Sequence, residues 1–179
     1  DRIVGSFNRM GTGLCSIRPK SGAPPLTRQQ AAAFCQAWGA VAPDGVEAAA
    51  WSEAGTAARV RSGGAATDPV VDVYGCDPGY LSCNGVRLAQ GRGLSVQDAE
   101  GRQPVVLLGD NVRRKLFGEG SGLGEWVSCP AGRFRVIGVL ERQGAMFGTH
   151  LDNAMLIPLD GVPGECSVLF RIPSWGQAA

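Results

Sequence analysis

Gly91-Arg92-Gly93-Leu94-Ser95-Val96-Gln97-Asp98 opens the stretch that decides how this chain folds, and Ile157-Pro158-Leu159 closes it. Between them lie Pro104-Val105-Val106-Leu107-Leu108-Gly109-Asp110, Lys115-Leu116-Phe117-Gly118 and Phe134-Arg135-Val136-Ile137-Gly138-Val139-Leu140. Ser95, with Asp98 three residues on, predicts a capped turn. Val105 to Leu108 is apolar without a break, as a strand buried on both faces requires. Asp110 is expected to cap a helix with Val112 and Leu116 on its inner stripe, stopped by Gly118. The run Arg113-Arg114-Lys115 near its end reads as a solvated face that complements the helix dipole. Gly118 to Gly124 is glycine-rich, yet it lacks the Lys-Ser/Thr of a phosphate loop and follows a helix, so it reads as a turn. Glu125 to Cys129 and Arg133 to Leu140 predict a hairpin around Pro130-Ala131-Gly132, and Ala154 to Leu159 a further strand.

Upstream, Thr12 to Ile17 predicts a short strand ended by Pro19. Thr27 and Gln30 form a capping box that starts a helix. Ala31, Phe34, Cys35 and Trp38 give that helix one apolar face, and Gly39 is expected to end it. Val46 to Trp51 predicts a strand after the turn Pro43-Asp44-Gly45, completing a split strand–helix–strand opening. Ala57 to Arg61 and Val70 to Tyr74 read as strands joined by the loop 62–69. Val86 to Gln90 and Ser167 to Ile172 are the remaining expected strands.

The totals exclude several function classes. Seventeen lysines and arginines stand against 16 aspartates and glutamates, a net charge of +1 that argues for no nucleic-acid partner. Charged residues are 18% of the chain, below the roughly 25% of ordinary soluble domains. Glycine, at 27 of 179, is about twice its usual share and implies many turns. No run approaches the roughly 18 apolar residues of a membrane span. Asp1 and Arg2 lead into polar Ser6, Asn8 and Arg9 and do not read as a signal peptide. The expectation is a soluble piece of something larger.

Six cysteines in a weakly charged chain with one histidine lean toward an oxidising compartment. Cys76 and Cys83, flanking Asp77-Pro78-Gly79-Tyr80, are the candidate disulfide, worth on the order of 2.5 kcal/mol in the chain-entropy picture. The alternative is six reduced, buried thiols. No metal site is expected, because there is no CxxC pair and His150 stands alone. No catalytic residue is expected either. No cysteine sits at a strand-to-helix elbow beside His150, and the carboxylates Glu47, Glu53, Asp72, Asp77, Asp98, Asp110 and Asp152 are scattered over turns and strand ends. Nothing calls for a cofactor. Of the four tryptophans, Trp38 reads as core.

The order of the pieces then becomes informative. Val73-Tyr74-Gly75, Gly79-Tyr80, Leu88-Ala89-Gln90-Gly91-Arg92-Gly93-Leu94-Ser95 with Asp98, and Val105 to Gly109 come first. Leu116-Phe117-Gly118, Gly122-Leu123-Gly124, Phe134 to Leu140, Gly144, Phe147-Gly148, Asp152 and Ile157-Pro158-Leu159 follow. Together they resemble the extracytoplasmic core domain of MacB-type ABC transporter permeases (the MacB/FtsX/LolC-like superfamily), from about Gly13 to Arg171.

The resemblance implies an α+β fold: a split α/β porter-type lobe with an inserted, mostly β Sabre-type lobe. The porter-type lobe would comprise about 11–54 and 160–179, and the inserted lobe about 55–159. It implies a non-catalytic, periplasmic domain, with the ATPase in a separate cytoplasmic domain or subunit. Its partners would be that ATPase, a second permease copy and, in some branches, a periplasmic adaptor and outer-membrane duct. Clients differ between branches: drugs, toxins or peptides, lipoproteins, or activators of cell-wall hydrolases. Porter-type lobes usually finish with another helix and strand, which Trp175 to Ala179 leave no room for. The competing expectations are a free-standing secreted module that binds a lipid or peptide between two lobes, and a hydrolase using a cysteine with His150.

Overall fold

The computed structural model describes residues 4–7, 13–18, 24–41, 46–68, 70–143, 151–162 and 165–172. The first strands are β1 (Val4–Phe7) and β2 (Gly13–Arg18), followed by helix α1 (Arg28–Val41) and β3 (Glu47–Ala58). Next come β4 (Arg61–Ser62), β5 (Ala65–Ala66), β6 (Val71–Cys76), α2 (Tyr80–Asn84), β7 (Leu88–Gly91) and α3 (Val96–Glu100). The chain continues through β8 (Val105–Leu108), α4 (Asp110–Phe117), β9 (Trp126–Cys129), β10 (Gly132–Leu140), β11 (Ala154–Pro158) and β12 (Cys166–Ile172). All twelve strands join one sheet in the order β1-β2-β12-β3-β6-β11-β8-β10-β9-β4-β5, with β7 pairing β10 off this path.

The expected split opening forms. β12 lies between β2 and β3 and is antiparallel to both, so β2 and β3 run parallel with α1 as their connection. Thr27 N donates to Gln30 Oε1 at 2.9 Å and Gln30 N donates to Thr27 Oγ1 at 3.3 Å, so the box starts α1 as expected. The helix does not end at Gly39. It runs on to Val41, because Gly39 has nothing packed around it and Ala40 keeps the chain helical.

Two expected strands prove to be one. β3 is twelve residues long and absorbs the region read as a break between Trp51 and Ala57. Its register against β6 shifts between Glu53 and Gly55 and again before Ala58, and Ala57 takes φ 51°. The break in pattern is a pair of bulges that bend a continuous strand. The loop expected over 62–69 contains the β4–β5 hairpin, turning at Gly63-Gly64 with φ 54° at Gly63. The stretch read as a turn before Cys83 forms α2, closed by Gly85 in the left-handed conformation. β1 was not anticipated.

Alternation along the strands assigns the layers. Ala48 and Ala50 of β3 meet α1 with Val168 and Phe170 of β12. Ala49 and Trp51, pointing the other way, join Tyr80 and Cys83 of α2 and Leu169. On the α1 side, Val112 and Leu116 of α4 cover Val71, Val73, Val106, Leu108, Met155 and Ile157. Val106, Leu107 and Leu108 have no exposed surface, which confirms β8 as buried on both faces. Each such side chain contributes about 1.5–3 kcal/mol of burial. The expected hairpin of β9 and β10 forms, with Gly132 already in the strand opposite Cys129 and Arg135 opposite Trp126.

Asp110 is not the cap of α4. Gly109 occupies that position in extended backbone, and Asp110 is the first helical residue. A Cβ on Gly109 would lie 2.1 Å from the Leu151 carbonyl oxygen, so only glycine lets the β8–α4 turn approach that segment.

Candidate functional site

Three half-exposed or polar clusters could carry function. The first surrounds α2. Asp77 follows β6, and its carboxylate accepts from Ala50 N at 2.8 Å and from Gly79 N at 3.0 Å. Burial pushes the Asp77 carboxyl above its ordinary range, against the pull of those two hydrogen bonds. Asp77 thus ties the turn that leads into α2 to β3.

Cys76 and Cys83 are not joined. Both are buried free thiols, with Cys76 Sγ directed at the Ile157 carbonyl oxygen at 3.9 Å and Cys83 packed within α2. Cys35, Cys129 and Cys166 are also free thiols. Burial pushes the Cys35 and Cys83 thiols up to about 12, and those of Cys76, Cys129 and Cys166 upward as well. Thiols held neutral in this way are poor nucleophiles. His150 lies outside the described residues, so its loop contributes nothing to this description.

The second cluster is aromatic. Trp51 and Tyr74 meet edge-on at 5.7 Å, with Tyr80 tilted 6.4 Å from Trp51. Burial, then the nearby Asp72 and Glu53, push the Tyr74 hydroxyl up to about 12, too high for it to trade a proton near neutrality. Trp38 is core as expected: it stacks on Phe34 and meets Phe170 edge-on at 5.1 Å. Trp126 differs, being 42% exposed.

The third cluster is a groove of about 300 Å³ beside α4, with Thr67, Val70, Val71 and Val112 in its lining and Asp68 and Lys115 at its rim. The basic run on α4 is engaged within the molecule. Arg113 and Arg114 pair with Asp110 at 2.8 and 3.0 Å, and Lys115 with Asp68 at 3.5 Å. Arg113 Nη1 also donates to the Gly118 carbonyl at 2.6 Å, which satisfies the end of the helix.

A fourth polar constellation is structural. Asp98 accepts from Arg92 at 2.6 and 3.0 Å and from Ser95 N at 2.9 Å, while Ser95 Oγ accepts from Asp98 N at 3.2 Å. The expected capping box is therefore present, and Arg92, which the sequence left unassigned, completes it. The guanidinium and the Ser95 hydrogen bonds hold the Asp98 carboxyl well below the usual carboxylate range.

Among the described residues, no group of three or more His, Cys, Asp or Glu side chains could hold a metal ion. No helix among them is long and apolar enough to cross a membrane. What the fold presents is a mixed α+β domain: one bent sheet, helices on both sides, and beside α4 a groove lined by valines and polar side chains.

Comparison with known proteins gives that class a family. The family described as "MacB-like periplasmic core domain" matches residues 2–174. The Rhodospirillum rubrum macrolide export ATP-binding/permease protein MacB is 34% identical over 170 residues, covering 88% of this chain and 24% of that protein. The Bdellovibrio bacteriovorus protein of the same name is 36% identical over 87 residues, 49% of this chain and 13% of that protein. The crystal structure of the periplasmic region of MacB from Actinobacillus actinomycetemcomitans superposes with a TM-score of 0.67 at 18% identity, covering 92% of this chain and 76% of that one. The extracellular domain of the ABC-type transporter YknZ superposes at 0.63 and 21% identity, covering 88% and 79%.

The chain belongs to the MacB-like periplasmic core domain family. It spans about a quarter or less of the length of these curated relatives.

Proposed function

We propose that this domain transmits motion: ATP hydrolysis in a cytoplasmic ATPase domain or subunit moves it, and it engages partners outside the membrane without chemistry of its own. The single observation that carries this reading is the family match across residues 2–174. The continuous sheet supports it, because β3 pairs with β12 on one side and β6 on the other, so force applied at one end reaches the other through backbone hydrogen bonds. Arg28 supports it too. It donates to the carbonyls of Asp160 and Val162 and to the Asp160 carboxylate, pinning the start of α1 to the segment between β11 and β12.

In this reading a porter-type lobe, about 11–54 and 160–179, carries an inserted lobe, about 55–159. The partners are a second permease copy, the ATPase and, outside the membrane, an adaptor with an outer-membrane duct. The exported client is a macrolide-like drug, by analogy with the macrolide export proteins named above.

The test is on the full-length protein in cells. A membrane-impermeant maleimide should label Val41→Cys from outside intact spheroplasts, and the labelled protein should co-purify with ATP hydrolysis. A chain released free of the membrane, with no associated ATPase, would favour the secreted binding module instead.

A further inference from the structure

The far end of the sheet has one covered face and one bare face. Val127, Phe134 and Val136 point to the α4 side and are buried there. The residues that alternate with them point the other way and are exposed: Trp126 and Ser128 on β9, Arg133 and Arg135 on β10. Registration extends the set, since Arg135 lies opposite Trp126, Arg133 opposite Ser128, and Ser128 opposite the exposed Arg61 of β4. One cross-strand row therefore reads Arg61, Ser128, Arg133, and the next reads Trp126, Arg135. The Arg133 guanidinium stands 5.0 Å from the centre of the Trp126 ring.

Three arginines thus share one face, Arg133 and Arg135 two residues apart on β10 and Arg61 across β9 on β4. Among the described residues, the ion pairs use Arg28, Arg92, Arg113, Arg114 and Lys115, and none of the three platform arginines. Glu125, which precedes Trp126, is paired with none of them either, and Arg135 Nε donates only to the Gly124 carbonyl at 3.3 Å. A chain whose net charge is only +1 thus gathers three guanidiniums without a carboxylate partner around one exposed tryptophan.

We propose that this face is a docking platform for an acidic, carboxylate-bearing segment of a protein partner. Guanidinium forks match carboxylates in pairs, and a tryptophan flanked by them supplies the apolar anchor that interfaces concentrate. An anionic lipid surface fits less well. Polybasic membrane sites gather about 4–8 lysines and arginines, whereas this rigid face offers three and only a partly exposed ring. The platform rests on the sheet geometry and stands whether or not ATP hydrolysis moves the domain.

The experiment measures anisotropy of a fluorescein-labelled oligoglutamate peptide at physiological salt, alongside co-sedimentation with phosphatidylglycerol vesicles. The wild-type chain should bind the peptide, with affinity that falls as salt rises. The triple variant Arg61→Ser, Arg133→Ser, Arg135→Ser should bind it at least about tenfold more weakly, and Trp126→Ala should also weaken it. Arg87→Ser, exposed and off the platform, should not. If the triple variant fails to fold, Arg133→Ser alone carries the same test. Equal binding by wild type and triple variant, no peptide binding by wild type, or tighter binding to the vesicles would each overturn the proposal.

Discussion

Asp98 shows how a single residue fixes local structure and pH response here. It is buried, receives two guanidinium nitrogens of Arg92, and holds the Ser95 box at the start of α3. Asp98→Asn keeps the shape and removes the charge, so the unfolding free energy is expected to drop by about 1–3 kcal/mol. The sign with pH follows from the lowered carboxyl. Its stabilisation is full above the unfolded value of about 4 and is lost as pH falls toward the folded one. Denaturation curves below about pH 4 should therefore weaken for wild type and flatten for Asp98→Asn. A parallel pH dependence in both would contradict the pairing.

The cysteines give the second residue-level expectation. Thiol titration of denatured, unreduced protein should find at least five free thiols, because five are free and buried or half-buried in the fold. Fewer would restore a disulfide. An even count pointed toward pairing, but counting says nothing about what else can close a loop. Here the segment winds into α2, and Asp77 ties its start to β3 without a staple.

Among the elements, the turn between β8 and α4 is the most constrained. Gly109→Ala drives a methyl into the Leu151 and Asp152 carbonyl oxygens, at 2.1 and 2.5 Å, and is expected to destabilise by about 3 kcal/mol or more. Gly64→Ala, with open space around it, should be nearly neutral in the same urea series. Equal effects would show that the turn is not packed as described. Elements with a strong local signature were legible in the sequence: the boxes at Thr27 and Ser95, the two-sided strand Val105–Leu108, and the hairpin at Pro130-Ala131-Gly132. Those set by tertiary context were not. The Glu53–Gly55 bulge broke the alternation of β3 and made one strand look like two. Gly109 took the capping position because backbone proximity, not side-chain chemistry, governs that turn. The platform needed register, since Trp126-Val127-Ser128 and Arg133-Phe134-Arg135 each alternate plainly but reveal a shared face only once paired.

At the scale of the molecule, family and fold class were readable because many weak signals occur in one order, and a bent sheet with helices on both sides accounts for that order. The functional reading rests on the family match across residues 2–174, and surface features invisible in the one-dimensional pattern add the docking platform. The central claim is that ATP hydrolysis elsewhere moves this domain. It is tested most directly on the full-length permease with its ATPase, in lipid, carrying a spin label at Val41→Cys in a cysteine-replaced background. Val41 is 76% exposed at the end of α1, so the label should leave the core undisturbed. Pulsed electron–electron double resonance then reads the distance between the labels of the two permease copies proposed above. The account predicts that the distance distribution shifts between nucleotide-free and ATP-trapped states and returns after hydrolysis. An identical distribution in all three states would contradict it.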